Sequence, residues 1–364
     1  MRIAQVAPLY ESIPPKLYGG TERVVSYLTE ELIRLGHEVT LFASGDSQTR
    51  AHLVACCPSA LRLNQECIDP LAHHILMLDR VFRQCDDFDI VHFHCDYLHF
   101  PLSRRRKMPN VTTLHGRLDL PDLVPIYREF AEMRVVSISN SQRNPLPWLN
   151  WEGTVYHGLP EDLYRFQAKP GKYLAFLGRI CPEKGVDSAI EIARKSGVEL
   201  RIAAKVDRVD QQYFDQVIRP LLHDPLVQFI GEISDRDKND FLGNAAAMLA
   251  PVNWPEPFGI SMIEALACGT PVIAFPRGSV PEVIDQGKSG NIVRTVDEAV
   301  EAVKNIHRLS RKSSRQIFER RFTAGRMAKD YVEIYKRLVQ GQSDLSEAEK
   351  GRTASQGSGT WAVQ

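Results

Sequence analysis

The 364-residue sequence has no run of about 18 apolar residues, so no segment of it reads as a membrane span. It has no surplus of either charge. Lys+Arg and Asp+Glu both number 45, whereas a dedicated nucleic-acid binder carries a basic excess over the whole domain. Nucleic acid is therefore not an expected partner. The seven cysteines (Cys56, Cys57, Cys67, Cys85, Cys95, Cys181, Cys268) are odd in number and include no Cys-x-x-Cys pair. They read as reduced thiols used as small apolar residues rather than as zinc ligands or a redox couple. No Gly-x-Gly-x-x-Gly follows a first strand in either half, which argues against dinucleotide-dependent oxidoreduction. The opening Met1–Val6 carries one charge, and its apolar run stops at Pro8. It reads as a buried strand rather than the core of a signal peptide, so a cytoplasmic location is expected.

What is present is strand–helix alternation, twice. The length exceeds a comfortable single core, so two domains are expected. In the first half, strands are predicted at Arg2–Ala7, Glu38–Ala43, Asp89–His94, Val111–Leu114 and Arg134–Ser139, with a helix over Thr21–Leu35 ending at Gly36. The pattern restarts with strands at Lys172–Gly178, Glu199–Ala204, Val227–Ile230, Ala247–Pro251 and Pro271–Phe275, and helices at Gly185–Ser196 and Gln211–Leu222. Such alternation implies parallel sheets covered on both faces. The halves join near Pro160–Lys172, where Pro160, Pro170 and Gly171 punctuate the chain. A long last helix is predicted over about Ser313–Leu338, with a stripe of Phe318, Phe322, Met327, Tyr331, Ile334, Tyr335 and Leu338. Residues 341–364, rich in Ser, Gly and Glu, read as a disordered tail.

Ligands of open parallel sheets bind beyond the carboxyl ends of the strands, and the chemically suggestive residues follow strands. After Ala247–Pro251 comes Pro255-Glu256-Pro257-Phe258-Gly259-Ile260-Ser261-Met262-Ile263-Glu264, then Ala265-Leu266-Ala267-Cys268-Gly269-Thr270-Pro271-Val272-Ile273. Pro257 and Gly259 mark a tight loop and a helix starts near Ile260, so its free amides can receive an anion or a sugar hydroxyl. Glu256 on the loop can accept from sugar hydroxyls, and Glu264 inside the cleft can accept from both hydroxyls of a ribose. Phe176-Leu177-Gly178-Arg179-Ile180-Cys181-Pro182-Glu183-Lys184-Gly185 stands where a strand gives way to a helix. There Arg179 can fork onto a diphosphate and Lys184 adds a mobile charge. Tyr18-Gly19-Gly20-Thr21-Glu22 follows the first strand, where glycines let backbone amides approach a phosphate; Thr21 could instead cap the helix. Thr112-Thr113-Leu114-His115-Gly116 ends a strand in a histidine that is either structural or a sugar contact.

The Glu256–Ile273 run resembles the signature of the large retaining glycosyltransferase family four, of the "glycosyl transferases group 1" type and the GT-B fold. That signature has two glutamates eight apart followed by A-x-A-x-G-x-P-V-I. The Arg179–Gly185 stretch is similar to the family's G-R-x-x-x-x-K-G element, and Gly19-Gly20 to its glycine loop. The resemblance covers about Met1–Val339. It implies two Rossmann-like domains facing across a cleft: an acceptor-side domain of 1–165, joined by the terminal helix at about 318–339, and a donor domain of 166–317. It also implies transfer of a hexose from a nucleotide diphosphate sugar with retention. Glu256, His115, Arg179 and Lys184 are then catalytic, and Gly19, Gly20, Gly231, Phe258, Gly259, Ile260 and Glu264 bind the donor. Fixed cations can replace the divalent ion that other glycosyltransferases use, and no Asp-x-Asp stands at a strand end in the donor half. No metal or cofactor is expected. UDP-glucose is the default donor and GDP-mannose the runner-up, while the acceptor could be a small molecule, a glycan or a lipid-linked sugar. A sugar-nucleotide 2-epimerase or a non-catalytic nucleotide-sugar binder are the alternatives on this fold.

Secondary candidates are fewer and weaker in pattern. His92, His94 and Asp96 share a strand face and superficially suggest a metal site, though acceptor-pocket or structural roles fit better. Ser139-Asn140 and His157-Gly158 each follow a strand of the first half and resemble family positions near the cleft. Lys205 either reaches the diphosphate or is solvated, and Phe229-Ile230-Gly231-Glu232 resembles the segment whose backbone meets the nucleobase. Arg104-Arg105-Arg106-Lys107 reads as a solvated helix end, with a phosphorylated acceptor or peripheral contact with an anionic membrane as the sharper alternative.

Overall fold

The structure is a computed structural model that describes residues 1–16, 19–62 and 64–356, with side chains as far as residue 341. Its first sheet contains β1 (Arg2–Val6), β2 (Glu38–Ser44), β3 (His52–Cys57), β4 (Ile90–Phe93), β5 (Asn110–Thr113), β6 (Arg134–Ser137) and β7 (Asn150–Thr154). They lie in the order β3-β2-β1-β4-β5-β6-β7, every pair parallel. The second sheet contains β8 (Tyr173–Arg179), β9 (Leu200–Lys205), β10 (Val227–Gly231), β11 (Ala245–Ala250), β12 (Val272–Ala274) and β13 (Gly290–Ile292). Its order is β10-β9-β8-β11-β12-β13, again all parallel. This is the GT-B arrangement of two Rossmann-like domains. The strand order reverses between β1 and β4 and between β8 and β11, and a crevice opens at such points.

The central strands are buried on both faces, as in β4, whose four residues Ile90–Phe93 are all buried. That double burial is why they read as short continuous apolar runs. Strands β3 and β13 were not expected from the sequence, and β7 was expected only as a strand of unstated bounds ahead of His157. All three lie at sheet edges, and β7 (Asn-Trp-Glu-Gly-Thr) has no fully buried residue.

The helices expected between strands are present, among them α1 (Gly20–Arg34), α2 (Pro70–Arg83), α3 (Phe100–Ser103), α4 (Leu123–Glu129) and α5 (Val186–Ser196). The run predicted at Gln211–Leu222 is helical but contains a π turn, Phe214–Ile218, between α6 (Gln211–Tyr213) and α7 (Arg219–Leu221). The second half continues through α8 (Asp235–Gly243), α9 (Ile260–Ala267), α10 (Val280–Val283) and α11 (Val296–Lys304). Among the described residues, no helix is long and apolar enough to cross a membrane.

The single long helix predicted over 313–338 is two helices, α12 (Arg311–Arg321) and α13 (Ala324–Gln356). The break at Phe322-Thr323 has a cause. Leu159 N–H donates to Phe322 O at 2.9 Å, and Ala324 N–H donates to Leu159 O at 2.7 Å. Leu159 and Thr323 thus form a parallel bridge that takes the place of helical bonds. A side chain on neighbouring Gly158 would put its Cβ 2.3 Å from the Thr323 carbonyl oxygen, so only glycine allows the approach. Phe318 and Phe322 pack into the core of the second domain with Phe258 and Ile263. Met327, Tyr331, Tyr335 and Leu338 pack into the first domain with Ile3, Val24 and Leu28. The aromatic stripe therefore serves two cores. Of the tail expected from 341, the backbone is helical to Gln356, and residues 357–364 lie outside the described residues.

Candidate functional site

A cleft of about 650 Å³ lies at the strand-reversal points of both sheets, a size suited to a nucleotide-sized ligand. It is lined by His115, Arg179, Lys184, Glu256 and Glu264, together with Gly19, Gly20, Phe258, Gly259 and Ile260. They come from strand ends, from the helices that follow, and from the loops between them. Gly231 ends β10 with φ 81, and the next two residues, Glu232 and Ile233, line the cleft. Tyr18 lies outside the described residues.

Glu256 sits on the loop between β11 and α9. Gly259, at φ 80, makes the turn that starts α9, a conformation open to glycine at little cost. Ser279 fixes the loop: its N–H donates to Glu256 O at 2.9 Å and its hydroxyl to Phe258 O at 2.8 Å. From the other domain, the Ser139 hydroxyl donates to Pro257 O at 2.6 Å. The Glu256 carboxylate is then aimed by two donors on one oxygen, Lys184 Nζ at 2.5 Å and Trp254 Nε1 at 3.0 Å. Lys184 and Arg117 both lie over the Trp254 ring, at 5.5 and 5.6 Å from its centroid. Trp254 and Arg117 were not anticipated from the sequence.

The cations expected at a diphosphate do meet in the cleft. Arg179, closing β8, pairs with Asp207 at 3.6 Å and Asp210 at 3.3 Å. Lys205, closing β9, pairs with Asp207 at 2.9 Å. Opposite them, α1 begins at Gly20 with Gly19 as its cap, so Thr21 is inside the helix rather than capping it.

Glu264 is the most enclosed charge of the site, 2% exposed. Its Oε1 receives Arg23 Nη1 at 2.6 Å, the Tyr164 hydroxyl at 2.8 Å and Lys238 Nζ at 3.4 Å. Burial pushes this carboxyl up, but the Arg23 and Lys238 charges and the hydrogen bonds from Arg23 and Tyr164 outweigh it and hold it at about 2. Arg23 belongs to α1 of the other domain, so a buried ion pair spans the cleft, and Arg23 also meets Asp235 at 3.2 Å. Nothing local in the sequence marks a pair 241 residues apart. The one Asp-x-Asp in the donor half, Asp235-Arg236-Asp237, lies on the first turn of α8, where Asp237 accepts from the Ser234 hydroxyl at 2.6 Å.

His115 follows β5, and its backbone is clamped by Gln142, whose Nε2 donates to the carbonyls of Leu114 and Gly116, both at 2.8 Å. Its Nε2 lies 2.9 Å from His94 Nδ1, and its ring stacks on His157 with centroids 5.3 Å apart. Burial pushes its pKa down to about 3, so the imidazole is neutral. His92 and His94 turn both ring nitrogens to protein partners: His92 to Tyr335 and Thr113, His94 to Gln5 and His115. Asp96 lines the cleft with φ 49. Asn140 and Ser141 donate their backbone N–H groups to Glu282 across the interface, each at 2.7 Å. Arg104 is held between Glu129 and Glu132 with its guanidinium 4.1 Å from the Phe130 ring centroid, a packed surface arginine.

Comparison with known proteins bears on the family and the fold. Residues 18–150 match the family described as Glycosyltransferase Family 4, and residues 164–322 match Glycosyl transferases group 1. The O-antigen chain mannosyltransferase C of Escherichia coli is 25% identical, over 93% of this chain and 100% of that protein. A probable sucrose-phosphate synthase of Thermosipho melanesiensis is 28% identical over 48% of this chain and 42% of that protein, so the chain spans less than half of that relative. The crystal structure of Anabaena Alr3699/HepE in complex with UDP and glucose superposes with a TM-score of 0.70 at 17% identity, over 93% of this chain and 100% of that one. The paired family matches and the shared fold place the chain in glycosyltransferase family four, as an enzyme that transfers a sugar from a nucleotide sugar.

Proposed function

We propose that the enzyme moves a hexose from UDP-glucose to an acceptor hydroxyl, with retention of anomeric configuration and without a metal ion. The observation that carries this reading is the convergence of Arg179, Lys184, Glu256 and Glu264 on one cleft at the carboxyl ends of two parallel sheets. The leaving diphosphate gains negative charge in the transition state, and Arg179, Lys184 and Lys205 are fixed cations aimed at it. Today their charges face Asp207, Asp210 and Glu256, counterions that an incoming diphosphate displaces or shares. The amides at the start of α9, from Phe258 to Ile260, add donors. Glu256 accepts from hydroxyls of the donor sugar and orients it, Glu264 takes the ribose hydroxyls, and neutral His115 contacts the sugar. The departing phosphate oxygen receives the acceptor proton on the face it leaves, so no protein base is assigned.

The donor unit spans residues 166–317. The acceptor binds against residues 1–165 and the terminal helix, on the cytoplasmic side, free or at a membrane surface. UDP as the nucleotide is supported by the UDP and glucose bound to the Anabaena protein. GDP-mannose is the second donor, favoured by the Escherichia coli mannosyltransferase among the relatives. Incubation with a panel of radiolabelled nucleotide sugars tests the reading, because slow donor hydrolysis reveals the donor before the acceptor is known. Release of glucose from UDP-glucose with its α configuration, unaffected by chelator, is expected. An inverted product, a chelator-sensitive rate or a 2-epimer in place of free sugar overturns it.

A further inference from the structure

Behind His115 runs a buried chain of hydrogen bonds that the transfer chemistry above does not use. Gln5, in the middle of β1 and fully buried, donates from Nε2 to the Tyr335 hydroxyl at 3.1 Å, and its Oε1 lies 2.8 Å from His94 Nε2. An amide oxygen can only accept, so His94 carries its proton on Nε2. A neutral imidazole protonated there has a bare Nδ1, which can only accept, and the group facing it at 2.9 Å is His115 Nε2. His115 is therefore protonated on Nε2 and bare on Nδ1. That Nδ1 has no partner among the described residues, although the side chain lines the cleft.

The other branch starts from the same glutamine. The Tyr335 hydroxyl accepts from Gln5 and donates to His92 Nδ1 at 2.7 Å. His92 Nε2–H donates to Thr113 Oγ1 at 2.7 Å, and that hydroxyl reaches Tyr331 at 2.8 Å. The placement of the Gln5 oxygen against His94 sets this direction; reversing it would need the amide turned end for end and would leave His115 Nδ1–H as a buried donor with no acceptor among the described residues. Burial keeps His92 and His94 neutral, as the argument requires.

We propose that Gln5 and His94 are positioning residues that lock His115 in its Nε2–H tautomer, so that the Nδ1 lone pair is offered to a hydroxyl of the donor sugar. This rests on the reading of His115 as a sugar contact. Tyr335 anchors the far end of the lock, which gives the returning helix α13 a part in the donor site.

The test is the long-range proton–nitrogen correlation spectrum of the ¹⁵N-labelled full chain, with His115 identified by the signals lost in His115→Gln. The wild type is expected to show His115 protonated on Nε2. Gln5→Leu removes the acceptor, so His115 becomes a tautomer mixture and kcat for donor hydrolysis falls about tenfold, with donor KM changed less than about twofold. Gln5→Glu restores an oxygen facing His94 and recovers both the tautomer and the rate. Tyr335→Phe, which frees the Gln5 amide to turn, gives a milder version and serves where Gln5→Leu does not fold. A wild-type His115 protonated on Nδ1, or a folded Gln5→Leu with the tautomer and kcat of the wild type, overturns the proposal. Full donor hydrolysis by His115→Gln would overturn the sugar contact while leaving the spectrum to decide the lock.

Discussion

Replacing Arg23 with methionine keeps most of the side-chain volume and removes the cation that neutralises Glu264 across the cleft. Both members of the pair are nearly inaccessible, with side chains 6% and 3% exposed, so water cannot take over the lost role. Stripping one partner from a buried ion pair costs about 3–5 kcal/mol, and the lower end applies because Lys238 and Tyr164 still reach the carboxylate. The ionisation of Glu264 gives the same size independently. A carboxyl held at about 2 against an ordinary 4.5 stabilises the folded ionised form by about 3 kcal/mol, roughly 150-fold in the folded-to-unfolded ratio. The sign follows from the depressed value. The Glu264 contribution is complete above pH 4.5 and is lost as pH falls towards 2. In Arg23→Met the carboxyl titrates higher, so the gap between the two proteins is widest at neutral pH and narrows in acid. Urea unfolding at pH 7 and at pH 4 measures this, and Glu264→Gln with the double variant completes a cycle. A loss under about 1 kcal/mol at pH 7, or one that does not shrink in acid, refutes the reasoning, since that is the worth of an exposed pair.

Glu256→Ala and Arg179→Ala should each abolish transfer while circular dichroism and melting temperature stay close to wild type; wild-type turnover by either purified variant removes its role. His115, held at about 3 by burial, stays uncharged through the working range. A pH–rate profile should therefore show no acid limb from this group between pH 5 and 8, and an imidazole that titrates there by NMR contradicts the assignment. Gly158→Ala places a methyl against the Thr323 carbonyl and should cost about 1–3 kcal/mol in urea unfolding, whereas Gly36→Ala, in open space, tests only the positive φ.

The elements legible in the sequence were those whose determinants are local. Central strands such as Ile90–Phe93 are short apolar runs because both faces are covered, and α1 and α5 show helical periodicity between glycines. The edge strands His52–Cys57 and Gly290–Ile292 escaped, and Asn150–Thr154 was expected without bounds, because a half-covered strand carries polar residues and has little pattern of its own. The stripe from Phe318 to Leu338 looked like one helix because apolar spacing records burial, not which core does the burying. In the site, Glu256, Glu264, Arg179 and Lys184 were visible as contiguous motifs. Arg23, Trp254 and Gln142 were not, because what gives them a role is a contact with a residue distant in the chain or a single hydrogen bond made after folding. His94 had only a superficial look of a metal ligand, with an acceptor-pocket or structural role fitting better, and its ring nitrogens go to Gln5 and His115, partners its local sequence does not name.

The bridge between Leu159 and Thr323 sets how the two halves can move. The outgoing link near residue 160 and the return path at 322–324 lie side by side, tied by two backbone hydrogen bonds. Two adjacent tethers act like the knuckles of a door rather than a single flexible string: they permit swinging about the line they share and resist twisting or sliding. A swing about that line would part Arg23 from Glu264, the ion pair that joins the two halves across the cleft.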